Sequence, residues 1–578
     1  MKPMIRKLFA AFAIVGVALA PSPAFTQSTP ILSGLDRFHP VFAQNGMVAS
    51  QEALATKVGV EILKKGGNAV DAAVAVGFAL AVTLPRAGNL GGGGFMIVHM
   101  AETGETLALD YREMAPVASF RDMFLDEEGN ADSEKSRFSG LGVGVPGTVM
   151  GLYEAHRRFG SGRLSLAEVI APAVKLARDG FTVSDDLSGS LKQVFTQLSR
   201  DEAARDVFYK PGGFYEPGDI LRQPDLANTL EKIAQDGPAA FYEGEVARAI
   251  AERVQTGGGV MTAEDLQNYR TVWREPVTGS YRGYEIASMP PPSSGGVHIV
   301  EILNMLEPFD IASSGHNSAK TIHVMAEAMT RAYADRSEYL GDPDFVDVPV
   351  KGLTSPEYAQ ARMRDFDPDA ASESAQIKPG DPTPYESNET THFSVVDAEG
   401  NAVSNTYTLN FSYGVRMMAP GTGVLLNNEL DDFSAKPGVP NAYGLIGGDA
   451  NAVEARKRPL SSMSPTIVFR DGKPFLVTGS PGGSRIITTV LQVIMNVVDH
   501  GMNVAEATAA ARIHHQWLPD EIRVEEGISP DTIEKLQAMG HTIAVKNAMG
   551  STQSILIGED FLQGASDPRR QGSLAAGY

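Results

Sequence analysis

The chain has 578 residues, a formal net charge of -21 at pH 7 and no cysteine, and 43% of its residues are hydrophobic. This length allows one large composite domain or several ordinary ones, and the hydrophobic content is enough for a packed core. The negative charge repels phosphate backbones, which argues against nucleic acid as a partner. Because no disulfide can form, the fold must be stabilised by side-chain packing.

The first 24 residues have the pattern of an export signal. Basic residues stand at the start, an apolar stretch follows from position 8 to 20, and small residues stand at Ser22 and Ala24. An anchored helix is the alternative, but this stretch is short for a bilayer span of about 20 residues. We therefore predict a cleaved signal peptide at residues 1–24, a periplasmic or secreted protein, and no membrane association after signal removal.

Two helices and a glycine-rich turn are predicted at the start of the mature chain. The first helix has Ser50 as its N-cap and Gly66 as its terminator, and the second, rich in alanine, starts at Asn68. The run Gly91–Gly94 then leads into a strand. A dinucleotide-binding fingerprint would open a helix instead, so this turn predicts close packing and no nucleotide loop.

A linker and a β-hairpin follow further along the chain. The polar, proline-bearing segment 365–385 is the best candidate for a mobile linker. It runs into two predicted strands that include Phe393–Val396 and Ala402–Leu409. With a three-residue turn, Thr390 lies opposite Thr408, whereas a four-residue turn would move the side chain to the other face. By itself, such a threonine pair is a common stabiliser of a sheet.

The stretch "TTHFSVVDAEGNAVSNTYTLNFSYG", which begins at Thr390, resembles the signature of the γ-glutamyltransferase family of N-terminal nucleophile hydrolases. The resemblance covers nearly the whole mature chain. It implies an α+β fold, a four-layer αββα sandwich whose two central antiparallel sheets are flanked by helices. The residues alone support only a mixed fold with buried alanine-rich helices. It also implies autocleavage between Glu389 and Thr390, which gives a large subunit, 25–389, and a small subunit, 390–578.

By the same resemblance, Thr390 is the catalytic nucleophile and Thr408 holds its hydroxyl and its amine. A hydroxyl is a weak nucleophile, and the α-amine released by cleavage, with a pKa of roughly 7.7 to 8, can take its proton. Before cleavage the same hydroxyl can attack the carbonyl of Glu389, and the resulting ester is then hydrolysed. This chemistry requires no cofactor and no metal. The adjacent His514 and His515 point to different sides of a strand or helix, so they predict no metal site.

Further motifs imply a site for an amino acid head group. In "LDYREMAP", Arg112 is expected to grip the α-carboxylate, because a guanidinium fork matches a planar carboxylate. The matches in "LLNNELDDFSAKPG" and "KRPLSSMSPTIV" complete the site, with the α-amino group held by Asn410, Glu429 and Asp432 and the carboxylate also by Ser461 and Ser462. Taken singly, Arg112 could be a surface ion pair and "NNELDD" a solvated acidic loop.

A glycine turn is the predicted oxyanion site. "PFLVTGSPGGSRIITTVLQVIMNVV" predicts a strand, a turn and a long helix that begins near Ser484. Backbone N–H groups at such a helix start point at anions, and the resemblance gives Gly482 and Gly483 the role of oxyanion donors. A phosphate cradle is the rival interpretation, but no Lys-Ser/Thr pair follows.

The segment from Pro437 to Gly448 resembles the lid of bacterial family members, and Tyr443 is expected to contact Asn410. Composition alone fits an ordinary surface loop.

The predicted reaction cleaves γ-glutamyl amides such as glutathione through an acylated Thr390, with transfer to water, amino acids or peptides. One alternative is an acylase for glutaryl-type β-lactam side chains, which would not need an α-ammonium site. The other is a non-enzymatic binding protein on the same scaffold.

Overall fold

A computed structural model describes residues 37–381, 391–436, 438–439 and 445–578. The predicted signal peptide, Glu389, Thr390 and Tyr443 lie outside these described residues. Within them, no helix is both long enough and apolar enough to cross a lipid bilayer.

Two seven-stranded antiparallel sheets form the centre of the described structure. The sheet that contains the predicted hairpin, here called the hairpin sheet, has in spatial order β21 (Leu574–Gly577), β2 (Gly46–Ser50), β10 (Thr391–Asp397), β11 (Ala402–Thr408), β3 (Gly93–Met100), β4 (Glu105–Tyr111) and β7 (Val272–Arg274). The second, here called the facing sheet, has β1 (Val41–Ala43), β20 (Leu562–Ser566), β19 (Gln553–Ile557), β15 (Lys473–Thr478), β14 (Thr466–Arg470), β9 (Tyr284–Ser288) and β8 (Val277–Tyr281).

The remaining strands are short and lie outside the two sheets: β5 (Phe181–Thr182), β6 (Ile220–Leu221), β12 (Met418–Ala419), β13 (Val424–Leu425), β16 (Ile513–His514), β17 (Ile522–Val524) and β18 (Ile543–Val545). The α-helices are α1 (Ala53–Lys64), α2 (Ala69–Thr83), α3 (Ser133–Phe138), α4 (Thr148–Phe159), α5 (Leu166–Asp179), α6 (Asp185–Leu198), α7 (Glu202–Phe208), α8 (Pro224–Asp236), α9 (Ala239–Tyr242), α10 (Gly244–Thr256), α11 (Ala263–Gln267), α12 (Gly295–Leu306), α13 (Ile311–Ser314), α14 (Ala319–Tyr339), α15 (Val350–Leu353), α16 (Pro356–Arg362), α17 (Arg485–Val498), α18 (Val504–Ala509) and α19 (Pro530–Ala538). Short 3-10 helices occur at Gly140–Gly142, Glu429–Asp432 and Asp449–Asn451.

The layers are those of an αββα sandwich. Helices α1, α2 and α4 pack on the outer face of the hairpin sheet, and α12, α17 and α18 pack on the facing sheet. Between the sheets, the hydroxyl of Ser404 donates to the carbonyl of Thr478 at 3.0 Å, and that of Ser394 donates to the carbonyl of Gln553 at 2.9 Å. The predicted fold class is therefore confirmed.

The two predicted N-terminal helices exist, with one correction. Ser50 does not cap α1, because it ends strand β2; Glu52 is the cap, and its carboxylate accepts two backbone N–H bonds. Gly66 ends the helix with a φ of +90°, as predicted. Asn68 caps α2 in a reciprocal capping box with Asp71, and all 15 residues of α2 are buried.

The predicted mobile linker is wrong over its described part, 365–381. This segment has no regular secondary structure, but it is anchored at several points. The hydroxyl of Ser374 donates to Asp520 at 2.7 Å, and the indole N–H of Trp517 donates to the carbonyls of Ser374 and Ile377. Polar composition gave the false prediction, because it does not reveal that Asp520 and Trp517, which are distant in the sequence, bind this segment.

Candidate active site

The register of the hairpin is as predicted. In the pairing of β10 with β11, Thr391 lies opposite Tyr407 and Val396 opposite Ala402. The turn spans residues 398–400, and Gly400 has a φ of +88°. The described pairs end at Thr391, and Thr390 lies outside the described residues.

Thr408 is oriented by a backbone hydrogen bond. Its Oγ1 accepts the N–H of Asn410 at 2.7 Å, which leaves the hydroxyl hydrogen of Thr408 to donate to another group. Asn410 has a left-handed φ of +68°, and its Nδ2 donates to the carbonyl of Asn428 at 3.0 Å. Because Asn428 directly precedes Glu429, these bonds connect the end of β11 to the 3-10 helix at Glu429–Asp432.

The glycine turn has the predicted strand, turn and helix. Helix α17 begins at Arg485 with Ser484 as its N-cap. Gly482 has a φ of +143° and Gly483 a φ of +65°, which are conformations that side chains disfavour. In the described part of the chain, neither backbone N–H donates a hydrogen bond.

Close packing brings this turn toward the start of β10. A Cβ added to Gly479, which follows β15, would lie 2.4 Å from the ring of His392. That ring is fully buried and contacts the hydroxyls of Thr406 at 2.9 Å and Ser394 at 3.0 Å. Burial lowers the pKa of His392 to about 3, so the imidazole is neutral at pH 7. The imidazole of His392 therefore fills space beside the site and adds no charge to it.

Arg112 follows β4 and is the centre of a buried ion cluster. Its Nη1 binds Glu429, its Nη2 donates to Asp432 Oδ2 at 2.5 Å, and its side chain is fully buried. Nε donates to the carbonyl of Pro459 at 2.9 Å, and Nη2 also donates to that of Leu460 at 3.2 Å. The structure thus brings the predicted cation and anions together, but pairs them with each other. Binding of a carboxylate by Arg112 would require one of these ion pairs to open.

The sequence analysis missed Glu113. This carboxyl is fully buried, with Oε2 3.7 Å from Nη1 of Arg112, and burial raises its pKa to about 7. Burial also raises the pKa of the adjacent Glu429 well above its usual range. Glu429 Oε2 and Asp432 Oδ1 accept no hydrogen bond from an N–H or hydroxyl group of the described residues. Three carboxyl groups around one guanidinium form an environment suited to a further cation.

The two predicted serines, Ser461 and Ser462, directly follow Leu460, whose carbonyl accepts a hydrogen bond from Arg112. Ser461 is held through its backbone, since its carbonyl accepts from the hydroxyl of Ser294 at 2.9 Å and its N–H donates to the carbonyl of Pro292 at 2.8 Å. The hydroxyl of Ser462 accepts from Nη2 of Arg336 at 2.6 Å. Sequence reasoning did not find Arg336, because an arginine inside a long helix carries no local signal.

The adjacent His514 and His515 each contact a threonine hydroxyl. His514 contacts Thr488 on α17, whereas His515 contacts Thr330 on α14, so the two rings point to different elements. A separate group, His323, Glu327 and His541, has ligand atoms within 4.8 Å of one another. There the two rings are hydrogen bonded to each other at 2.7 Å, and Glu327 pairs with Arg331 at 2.6 Å.

Comparison with known proteins agrees with this architecture. The family model described as gamma-glutamyltranspeptidase matches residues 55–577. The glutathione hydrolase proenzyme of Escherichia coli strain K12 is 56% identical over 581 residues, covering 100% of both chains. A crystal structure of cephalosporin acylase from Bacillus halodurans aligns with a TM-score of 0.82 at 28% identity, over 97% of this chain and 99% of that one.

A crystal structure of the Helicobacter pylori gamma-glutamyltranspeptidase aligns with a TM-score of 0.56 at 46% identity, over 57% of this chain and 94% of that one. The sandwich with its hairpin and glycine turn defines an N-terminal nucleophile hydrolase fold. Within that class, the chain belongs to the γ-glutamyltranspeptidase family.

Proposed function

We propose that this chain is the precursor of a γ-glutamyltransferase that cleaves γ-glutamyl amides such as glutathione. The observation that carries the proposal is the buried cluster of Arg112 with Glu113, Glu429 and Asp432, which hydrogen bonds connect to Thr408 at the end of the hairpin. An amino acid head group carries one ammonium and one carboxylate, and this cluster offers partners for both.

Maturation would proceed by autocleavage between Glu389 and Thr390. The products are a large subunit, 25–389, and a small subunit, 390–578, that together form one composite domain. Removal of residues 1–24 by a signal peptidase would place the enzyme in the periplasm or outside the cell. Contacts such as those of Trp517 with Ser374 and Ile377 would then join the two subunits without a covalent bond.

In the proposed reaction, the Thr390 hydroxyl attacks the γ-carbonyl of the donor and passes its proton to the Thr390 α-amine. The backbone N–H groups of Gly482 and Gly483 stabilise the oxyanion, a contribution of about 2.7–4 kcal/mol per donor. The C–N bond then breaks, and the leaving amine takes the proton. Water, an amino acid or a peptide attacks the resulting ester and regenerates the hydroxyl. Thr408 would orient Thr390, since its own hydroxyl hydrogen remains to donate.

The head group would be bound by the residues that the family resemblance indicates. The α-carboxylate would contact Arg112, Ser461 and Ser462. The α-ammonium would contact Asn410 together with Glu429 Oε2 and Asp432 Oδ1, which accept no N–H or hydroxyl hydrogen bond from the described residues. An incoming ammonium would neutralise part of the negative charge of Glu429 and Asp432 that Arg112 neutralises in its absence. N–H groups of Arg112 would then be available to bind the carboxylate. Tyr443, in the lid 437–448, would cover the bound head group.

A glutaryl-specific β-lactam acylase is the second candidate, because the fold aligns closely with that of a cephalosporin acylase. A glutaryl group has no α-ammonium, so it would bring no cation to Glu429 and Asp432, and its carboxylate would compete with them for Arg112. The experiment compares γ-glutamyl-p-nitroanilide with glutaryl-p-nitroanilide, each with and without a dipeptide acceptor. We expect a large preference for the γ-glutamyl donor and acceleration by the dipeptide. A preference for the glutaryl donor would support the acylase instead.

A further inference from the structure

Arg336 is a fully buried arginine on α14 that contacts the predicted carboxylate-binding serines. Its Nη2 donates to the hydroxyl of Ser462 at 2.6 Å, and its Nε donates to the hydroxyl of Ser294 at 3.2 Å. The guanidinium also stacks on the ring of Tyr333, with 5.4 Å between the guanidinium carbon and the ring centroid. The guanidinium of Arg336 therefore lies next to the segment that carries the two serines.

The direction of these bonds fixes the roles of the hydroxyl groups. A guanidinium can only donate, so in this bond the oxygen of Ser462 accepts, and the bond does not use the hydrogen of that hydroxyl. The hydroxyl of Ser294 likewise accepts from Arg336 and donates onward to the carbonyl of Ser461 at 2.9 Å. Arg336 thus contacts one serine of the pair directly and the other through Ser294.

The charge of Arg336 acts in the same direction. Burial lowers the pKa of Arg336 to about 9, so the side chain remains a cation at pH 7. A buried cation beside an anion-binding hydroxyl stabilises an anion there more strongly than it would in water, because the surroundings have a low dielectric constant. Arg112 contacts the carbonyls of Pro459 and Leu460, and Arg336 contacts Ser462, so two guanidinium groups flank this short segment.

We propose that Arg336 is a positioning residue for the α-carboxylate of the donor. It holds the hydroxyl of Ser462 as a hydrogen-bond donor and places a second positive charge behind it. The inference rests on the proposed function, in which Ser461 and Ser462 bind that carboxylate. The competing explanation is that Arg336 only fastens α14 to the segment that carries the serines.

A double-mutant cycle with two donors separates these explanations. The variants are Arg336→Met, Ser462→Ala and the double mutant. The donors are γ-glutamyl-p-nitroanilide and 4-aminobutanoyl-p-nitroanilide, which lacks the α-carboxylate. We expect Arg336→Met to raise KM for the γ-glutamyl donor about tenfold, with a smaller effect on kcat, and to leave kcat/KM for the other donor within about threefold. In the Ser462→Ala background the effect of Arg336→Met should be smaller than in the wild type, because only the charge and the contact through Ser294 remain to be lost.

Two further variants guard against a folding defect. Arg336→Lys keeps the charge but loses the fork, and it should recover part of the lost affinity. Arg331→Met removes another buried arginine of α14, one that pairs with Glu327 and Asp365, and it should lower stability without changing the ratio of the two donors. Equal losses on both donors, or additive effects of Arg336→Met and Ser462→Ala, would overturn this inference alone. A wild-type enzyme inactive on γ-glutamyl-p-nitroanilide would overturn the proposed function and this inference with it.

Discussion

The carboxyl group of Glu113 lies 3.7 Å from the guanidinium of Arg112, its neighbour in the chain, and both side chains are fully buried. Consecutive residues of a strand point to opposite faces, but this pair follows the last residue of β4 and is free of that alternation. Both side chains therefore enter the cluster that contains Glu429 and Asp432.

The first prediction concerns pH. Burial raises the pKa of Glu113 to about 7 from 4.5, so the folded state keeps a proton that the unfolded chain loses between these values. Stability contributed by this group is therefore present below pH 4.5 and falls as pH rises toward 7. Glu113→Gln is neutral throughout and should lose that decline. The melting temperature of the variant relative to wild type should rise between pH 5 and pH 8, and an unchanged difference would contradict the assignment.

The second prediction concerns maturation. Thr390→Ala should leave one full-length chain without activity, because the attacking hydroxyl is absent. Thr391→Val is the matched control, since the hydroxyl of Thr391 donates to Gln51 at 2.8 Å and has no part in the proposed cleavage. Gel electrophoresis and N-terminal sequencing should show two subunits for this control, the smaller beginning at Thr390. Cleavage at the same bond in Thr390→Ala would refute the assignment of the nucleophile.

The third prediction concerns the head group. Arg112→Lys keeps the charge but loses the fork that would bind the α-carboxylate. We therefore expect kcat/KM for a γ-glutamyl donor to fall by a factor equivalent to about 1.5–3 kcal/mol. Cleavage of the precursor should continue, because it involves no substrate carboxylate. Arg331→Lys is the control, since Arg331 is also buried and pairs with two carboxylates, Glu327 and Asp365, that do not contact Arg112. Arg112 would be structural if its lysine variant failed to mature but bound donors normally.

The fourth prediction concerns the oxyanion site. Gly483 has a φ of +65°, and alanine there would strain the backbone and shift its N–H. Gly472, in the turn between β14 and β15, has a similar φ of +72° with nothing near its added Cβ. Both alanine variants should lose similar stability, about 1–2 kcal/mol. Steady-state kinetics should show a large fall in kcat for Gly483→Ala alone; equal kcat values for the two variants would remove Gly483 from the mechanism.

The sequence predicted features whose signals are local. The hairpin register follows from alternation and from Gly400, and the start of α17 follows from the glycine turn before Ser484. Ser50 was wrongly taken as a cap because its pairing with Phe393 joins distant parts of the chain.

Buried charge was also beyond local reasoning. Glu113 stood within the motif that gave Arg112, yet its importance depends on Glu429, which reaches it only in the folded protein. Arg336 was hidden for the same reason, since its contacts with Ser294 and Ser462 join distant segments.

The central claim is that Thr390 carries the γ-glutamyl group during turnover. The most direct test is rapid acid quenching of the mature enzyme with γ-glutamyl-p-nitroanilide, followed by peptide mass spectrometry of the small subunit. We predict a γ-glutamyl adduct on the N-terminal peptide, located at Thr390, that disappears when a dipeptide acceptor is added before the quench. Turnover with the adduct on a different residue would contradict the account.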